Sequence, residues 1–171
     1  MNDGTRNLET TRLRLRNAAL PDESFFLRLL NEPSWLENIG DRCVRSLADA
    51  ESYIRSKIWP QHETSGYGMY VVELKSREIP IGICGLVKRD YLSAPDLGFA
   101  LLPEYVGQGF ATEAARCVMS HARATWSIPR LYAVTRRGNE RSLRLLDRIG
   151  FRYEGPCMTP QGAEVELFAA N

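Results

Sequence analysis

Two glycines separate an extended apolar run from a long helical pattern, and this junction constrains the chain more than any other feature. The apolar run spans 96–103, and Gly107 and Gly109 flank Gln108 just before the helical pattern begins. A strand that passes at once into a helix leaves several backbone N–H groups free at the positive end of the helix dipole. Such groups hold phosphate, and glycine lets a diphosphate approach the backbone closely. A turn that merely connects the two elements explains the same residues equally well.

Two other phosphate-binding motifs do not fit the junction. A P-loop requires Gly-Lys followed by Ser or Thr, which the chain does not contain. A dinucleotide-binding fingerprint requires a third glycine where Thr112 stands. Apolar residues then recur at helical spacing and predict a long helix with one apolar face, formed by Ala111, Ala114, Ala115, Val118, Met119, Ala122 and Trp126.

The first half of the chain predicts a strand, two helices and three further strands. Alternation of Leu and Arg predicts an edge strand at 11–16. Helical spacing predicts one helix that starts at Pro21 and stops at Pro33, and another that Ser46 caps and Pro60 ends. Three runs of branched and aromatic residues predict sequential antiparallel strands, at 68–76, 80–91 and 96–103.

The second half alternates between helices and strands. After the long helix, the pattern predicts a strand at 130–136, a helix at 139–149 and two short strands at 151–155 and 164–169. The predicted fold is α/β of the α+β type, a mixed, largely antiparallel twisted sheet with flanking helices. Its order is β-α-α-β-β-β-α-β-α-β-β, with a strand–helix–strand crossover in the second half. No linker or repeat interrupts the pattern, so we expect one domain over residues 1–171.

Charge and composition exclude several classes of function. Lys and Arg total 22 against 21 Asp and Glu, so the net charge of +1 predicts neither nucleic-acid binding nor membrane-surface binding. No signal-peptide core or long apolar run is present, which predicts a cytoplasmic protein. The four cysteines lie far apart without a C-x-x-C pair, and with two histidines they predict no metal site.

A polar residue on the apolar face of the last helix is a second candidate for chemistry. Ser142, Leu145, Leu146 and Ile149 share one face, so the Ser142 hydroxyl is expected to point inward. Asn139 opens the same helix one turn earlier. The alternative is an ordinary Asn cap followed by a serine that bonds to its own helix backbone.

Both candidate segments occur together in one known family. P-E-Y-V-G-Q-G-F-A-T-E-A followed by N-E-R-S-L-R-L-L-D-R-I-G-F resembles the GNAT superfamily of acetyl-CoA-dependent N-acetyltransferases, and most of all its ribosomal-protein N-terminal acetyltransferase branch. The resemblance covers nearly the whole chain and implies a GNAT-like fold. It implies acetyl-CoA as cosubstrate, with the pyrophosphate at Val106, Gly107, Gln108, Gly109, Phe110, Ala111 and Thr112. It further implies pantetheine contacts at Phe99, Ala100, Leu101 and Asn139.

The chain departs from the superfamily pattern at two positions. Val106 stands where Arg or Gln is frequent, whereas Ala111 fits the Gly or Ala at the last position of the same motif. Backbone N–H groups do most of the phosphate binding, so the change at 106 is tolerable. Leu146 replaces the tyrosine that serves many members as general acid. The ribosomal-protein branch implies Ser142 in that role, in agreement with its inward direction.

A carboxylate is expected near the acceptor, because an amine must lose its proton before it attacks. Asp96 is the first candidate, since the family often carries an acid at this place, although Asp96 is nearly as well explained as a turn residue. Glu104 is the second, and Gln161 and Glu164 lie where the related branch carries a catalytic glutamate. A backbone N–H of the central strand is expected to bind the oxyanion.

The acceptor is less constrained than the coenzyme. We expect acetyl transfer by direct attack in a ternary complex, to a small amine or amino-acid-like metabolite. A peptide N-terminus and a catalytically silent acyl-CoA-binding module are the alternatives, and a monomer or a homodimer is compatible with either. Arg136 and Arg137 are candidates for the coenzyme 3′-phosphate, and the candidates for the acceptor side are Trp35, Asn38, Asp41, Tyr67 and Tyr70.

Overall fold

A computed structural model describes residues 7–171, and a single eight-stranded sheet organises them. The strands are β1 Leu8–Glu9, β2 Leu13–Arg16, β3 Met69–Leu74, β4 Ile79–Val87, β5 Asp96–Leu101, β6 Leu131–Thr135, β7 Arg152–Met158 and β8 Glu164–Ala170. They lie in the order β1-β2-β3-β4-β5-β6-β8-β7. All neighbours are antiparallel except β5 and β6, which run parallel. The mixed, largely antiparallel sheet predicted from the sequence is confirmed.

Helices cover both faces of this sheet. They are α1 Glu23–Leu30, α2 Pro33–Asn38, α3 Leu47–Tyr53, α4 Trp59–Ser65, α5 Phe110–Ala124 and α6 Glu140–Arg148. Residues of α1 to α3 form one apolar core, and residues of α5 and α6 form another. Strand β3 contributes to both, because Val71 faces the first core and Val72 faces the second. A strand buried on both sides explains why Met69 to Val72 are continuously apolar instead of alternating.

Three details of the first half differ from the sequence prediction. Strand β1 is a two-residue edge beside β2, too short to show a period. Pro33 begins the additional helix α2, where its missing N–H costs nothing. Pro60 does not end the helix that starts after Ser46. The chain widens through one π-helical segment at Ile54–Ile58, and Pro60 then lies in the first turn of α4.

The functional cleft originates where β5 and β6 separate. The two strands are paired at Asp96 and Tyr132, next to which the Tyr132 N–H donates to the Pro95 carbonyl over 2.8 Å. The next inward N–H of β6, that of Val134, donates 3.2 Å to the Asp96 carboxylate instead of to a β5 carbonyl. The side chain of Asp96 therefore replaces the next ladder bond, and beyond it the strands diverge.

Candidate active site

The gap between β5 and β6 opens into a cleft of about 630 Å³. Its walls come from β5, the turn after β5, the end of β6 and α6, and residues of β3, β4 and α1 to α4 close one end. The cleft brings together Asp96, Gly109, Asn139 and Ser142, which lie far apart in sequence. The two candidate segments found in the sequence therefore form one site.

Asp96 lies at the start of β5 with only 1% of its surface exposed. One carboxylate oxygen accepts from the Arg89 Nε, and the other accepts from the Val134 N–H. Burial raises the pKa of Asp96, and the neighbouring Arg89 guanidinium partly opposes the rise. A carboxylate with a raised pKa is better matched to an amine as a proton acceptor. Arg89 was not found in the sequence, because no spacing signal marks a partner across a loop.

Strand β5 presents free backbone groups to the cleft beyond Asp96. Leu102 donates its N–H to Ile81 of β4 over 2.9 Å. Because successive residues of a strand point their N–H and C=O groups to opposite sides, Phe99 and Leu101 direct theirs away from β4 and into the gap. Ala100 lines the cleft but directs its backbone groups toward β4.

The turn from Val106 to Thr112 carries a run of unused donors. The Val106 N–H donates to Pro103 over 3.2 Å, and the first helical bond of α5 runs from the Glu113 N–H to Gly109 over 3.0 Å. Among residues 7–171, no acceptor receives the six backbone N–H groups of 107–112. Gly107 and Gly109 have φ of +83° and +81°, a conformation that glycine adopts without strain. Six donors at the N-terminus of a 15-residue helix make a strong anion cradle.

The last helix places its polar residues at the cleft as well. Asn139 caps α6, with its side-chain oxygen accepting from the Ser142 N–H over 3.3 Å. Ser142 is half-buried and lines the cleft, while Leu146 is fully buried beneath it. The Ser142 hydroxyl bonds to no carbonyl in the described part of the chain. Asn139 is therefore an ordinary helix cap, as the alternative explanation predicted. The serine bonded to its own helix backbone, which the same explanation predicted, is not found.

Glu104 is not brought to this cleft. It lies on the far side of the turn, in an exposed ion pair with Arg28 at 2.8 Å. Five residues of extended strand, roughly 17 Å, separate Asp96 from Leu101, and Glu104 lies beyond that end. Gln161 and Glu164 are exposed around the β7–β8 turn and do not line the cleft either. Of these candidate bases, only Asp96 lines the cleft.

The acceptor-side candidates divide in the same way. Trp35 and Asn38 line the cleft, as do Arg42 and Tyr53, which the sequence did not single out within the early helices and the 35–42 loop expected on this side. The remaining three lie elsewhere: Asp41 pairs with Arg45, Tyr67 packs against Trp126, and Tyr70 packs against His62. Arg42 belongs to a loop, and Tyr53 lies on a helix face that is otherwise buried. At neither place does a sequence pattern distinguish a cleft residue from a packing residue.

Two arginines proposed for the 3′-phosphate are engaged by protein groups. Arg136 donates to the Glu37 carbonyl at the end of α2. Arg137 lies 3.6 Å from the Glu166 carboxylate, with its side chain 86% exposed. Neither of them lines the cleft, whereas Arg141, Arg144 and Arg148 of α6 do. These three make the wall beside the anion cradle cationic.

Among the described residues, no group of three His, Cys, Asp or Glu side chains is arranged to hold a metal ion. The helices of this same part of the chain include none with the length and apolar character needed to span a bilayer.

Comparison with known proteins gives a family match and several relatives. The profile described as "Acetyltransferase (GNAT) domain" matches residues 12–152. An uncharacterized N-acetyltransferase of Bacillus subtilis, YoaA, is 27% identical over 150 residues, which are 86% of this chain and 84% of that protein. The spermidine N(1)-acetyltransferase of Escherichia coli K12 is 34% identical over 56 residues, 33% of this chain and 30% of that protein. The structure of RimL, a ribosomal L7/L12 α-N-protein acetyltransferase in complex with coenzyme A, superposes with a TM-score of 0.82 and 20% identity, covering 96% of this chain and 97% of that one.

Proposed function

Because the chain belongs to the acetyltransferase (GNAT) family and is an acyl-CoA-dependent N-acetyltransferase, we propose that it acetylates a small primary amine or amino-acid-like metabolite in the cleft between β5 and β6. Transfer is direct, in a ternary complex, with no acetylated enzyme. The six N–H groups of 107–112 carry the coenzyme part of this proposal, because they have no acceptor among residues 7–171 and lie at a helix N-terminus, which suits a diphosphate. A bound acetyl-CoA supplies the thioester carbonyl as electrophile.

The backbone of β5 holds the arm of the coenzyme. Phe99 and Leu101 offer free N–H and C=O groups along the gap, which suit the amides of pantetheine. Asn139 reaches the cleft from the opposite wall. The Phe99 N–H lies nearest to Asp96 among these free donors in chain order, and it is our candidate for the developing negative charge on the carbonyl oxygen.

Asp96 takes the proton that the amine loses, and Ser142 stabilises the sulfur, which leaves as a thiolate and is protonated by solvent. Asp96 accepts a proton from the acceptor amine, directly or through water, because its raised pKa narrows the gap to the pKa of the amine. The Ser142 hydroxyl donates a hydrogen bond to the departing sulfur, because this hydroxyl is free of protein acceptors and lines the cleft. Both groups act on reacting atoms, so both are proposed as catalytic residues.

The walls of the acceptor end favour a small amine with an apolar body. Trp35, Ile58, Met69 and Ile83 make much of this surface apolar. In the described part of the chain, the acidic side chains that line the cleft are Glu32, which pairs with Arg28, and Asp96. A polyamine carries several positive charges and needs several available carboxylates to bind them. This cleft instead contains the cation Arg42, which repels such a ligand.

The proposal is tested by an acetyl-transfer assay with acetyl-CoA and four acceptor classes: amino acids and apolar monoamines, polyamines, aminoglycosides, and N-terminal peptides. We expect turnover with the first class at the highest kcat/KM, and intersecting initial-rate plots that indicate a ternary complex. Turnover confined to peptides would transfer the proposal to a protein N-terminus, for which the RimL-like fold is the supporting observation. Tight coenzyme binding without turnover of any amine would indicate a silent binding module.

A further inference from the structure

The turn from Val106 to Thr112 is weakly held by its own hydrogen bonds. Within the turn, the Gln108 side chain donates to the Glu104 carbonyl over 2.8 Å, and the N–H groups of 107–112 make no bond to the described protein. Aligned N–H dipoles repel one another until an anion arrives. An empty turn of this kind keeps its shape only if a neighbouring element fixes it.

Arg12, at the turn that joins β1 to β2, contacts this segment from behind. Its Nη1 donates to the Gln108 carbonyl over 3.1 Å, and its guanidinium carbon lies 4.3 Å above the centre of the Phe110 ring. Its Nε and Nη2 both lie 2.7 Å from the Glu113 carboxylate in the first turn of α5. One side chain therefore spans the glycine turn and the helix that follows it.

Glu113 completes the link to the N-terminal strands. Its second oxygen accepts from the Arg12 backbone N–H over 3.0 Å and from the Thr10 hydroxyl. Burial acts to raise the pKa of Glu113, but hydrogen bonds from Thr10 and Arg12 outweigh it and lower that pKa, so the carboxylate stays charged. We call this set of contacts the Arg12–Glu113 clamp.

The geometry of a trans peptide gives the clamp its effect. The carbonyl of Gln108 and the N–H of Gly109 belong to one peptide plane and point in opposite directions. Because Arg12 holds this carbonyl on the rear side, the Gly109 N–H is directed to the front, where Gly107 and Gly109 line the cleft. The Arg12 charge is neutralised by Glu113, so its contribution is orientation and not direct attraction of phosphate.

We propose that Arg12 is a positioning residue for the coenzyme: it fixes the Gln108–Gly109 peptide so that the turn is ready to bind a diphosphate. This inference rests on the proposed function, because it assumes that the diphosphate binds at 107–112. Arg12 itself lies outside the catalytic cleft. Its loss is therefore expected to change the affinity for the coenzyme and to leave the chemical step intact.

The test compares R12Q and R12K with R14Q. Arg14 lies on β2, and its ion pair at 2.7 Å is with Glu73, away from the turn. By calorimetry, we expect R12Q to weaken coenzyme A binding about 10-fold, as for the loss of a charge-assisted hydrogen bond. At saturating acetyl-CoA its kcat is expected to equal that of the wild type. The coenzyme A affinity of R12K should be closer to that of R12Q than to that of the wild type, because an ammonium cannot bridge Gln108 and Glu113 as a guanidinium fork does.

A second measurement is independent of the ligand. ¹⁵N relaxation of the empty protein should show lower order parameters for the amides of 107–109 in R12Q and unchanged ones in R14Q. A wild type that binds no coenzyme A, with a turn that still loosens in R12Q, would refute the proposed function and leave the clamp supported. Wild-type affinity and a rigid turn in folded R12Q, wild-type behaviour of R12K, or an equal loss in R14Q would overturn the clamp.

Discussion

Ser142 presents a hydroxyl to the cleft from the first turn of α6 without a protein acceptor. If it assists departure of the thiolate, Ser142→Ala lowers kcat about 100-fold and changes the KM for acetyl-CoA little, since the hydroxyl acts mainly in the transition state. Steady-state kinetics at varied acetyl-CoA measure both constants. Ser120→Ala, an exposed change on α5, is the control. A wild-type kcat in Ser142→Ala would reduce Ser142 to a structural hydroxyl.

Asp96 makes the pH profile of the reaction informative. The carboxylate is the proton acceptor only when ionised, so kcat/KM should rise with pH through its pKa, which burial raises above the usual value of about 3.9. The Arg89 guanidinium favours the ionised form, so Arg89→Gln raises the pKa further and moves the acid limb to higher pH. Asp96→Asn should abolish the limb together with most activity. An acid limb that stays in place in Arg89→Gln would show that another group titrates.

At the scale of elements, the turn into α5 depends on two left-handed glycines. Gly109→Ala forces a side chain to φ +81°, which costs about 1–2 kcal/mol of stability, and its Cβ meets Arg12 at 3.4 Å. Gly66→Ala imposes the same kind of strain at φ +72°, after α4, with nothing within 4 Å. We expect both variants to lose similar free energy of unfolding in urea. Only Gly109→Ala should also weaken coenzyme A binding, measured by calorimetry, because only Gly109 belongs to the turn proposed to bind the diphosphate. Equal affinities in the two variants would contradict placement of the diphosphate at 107–112.

Sequence patterns predicted the elements that carry long periods or strong punctuation. The helix of α5, the strand–helix–strand crossover and the glycine turn all have such signals, and each is present. Strand β1 and the π-helical segment at Ile54–Ile58 have none, because each is too short for a pattern to repeat within it. Ser142 was accessible through its position on an apolar face. Arg89 was not, because its role depends on a contact that only the folded loop creates.

At the scale of the whole molecule, coenzyme binding should stabilise the entire domain. The cleft is formed by strands and helices that belong to both apolar cores, so the ligand links parts of one cooperative unit. Coenzyme A at 100 times its Kd should add about 2.7 kcal/mol, which raises Tm by roughly 5–10 °C for a domain of this size. Differential scanning calorimetry measures the shift. Pantetheine lacks the diphosphate and should shift Tm far less at equal concentration; equal shifts would contradict anchoring at 107–112.

The replacement of a ladder bond by Asp96 also limits how this enzyme can change by mutation. A substitution that removes the carboxylate removes the base that takes the proton of the amine. It also removes the hydrogen bond from the Val134 N–H to this side chain, which stands in place of a ladder bond between β5 and β6. Asparagine keeps a carbonyl oxygen for Val134 and differs from aspartate by a single base in the codon. A descendant that has stopped acetylating but still carries the coenzyme is therefore expected to have Asn at this place, whereas alanine would endanger the shape of the cleft as well.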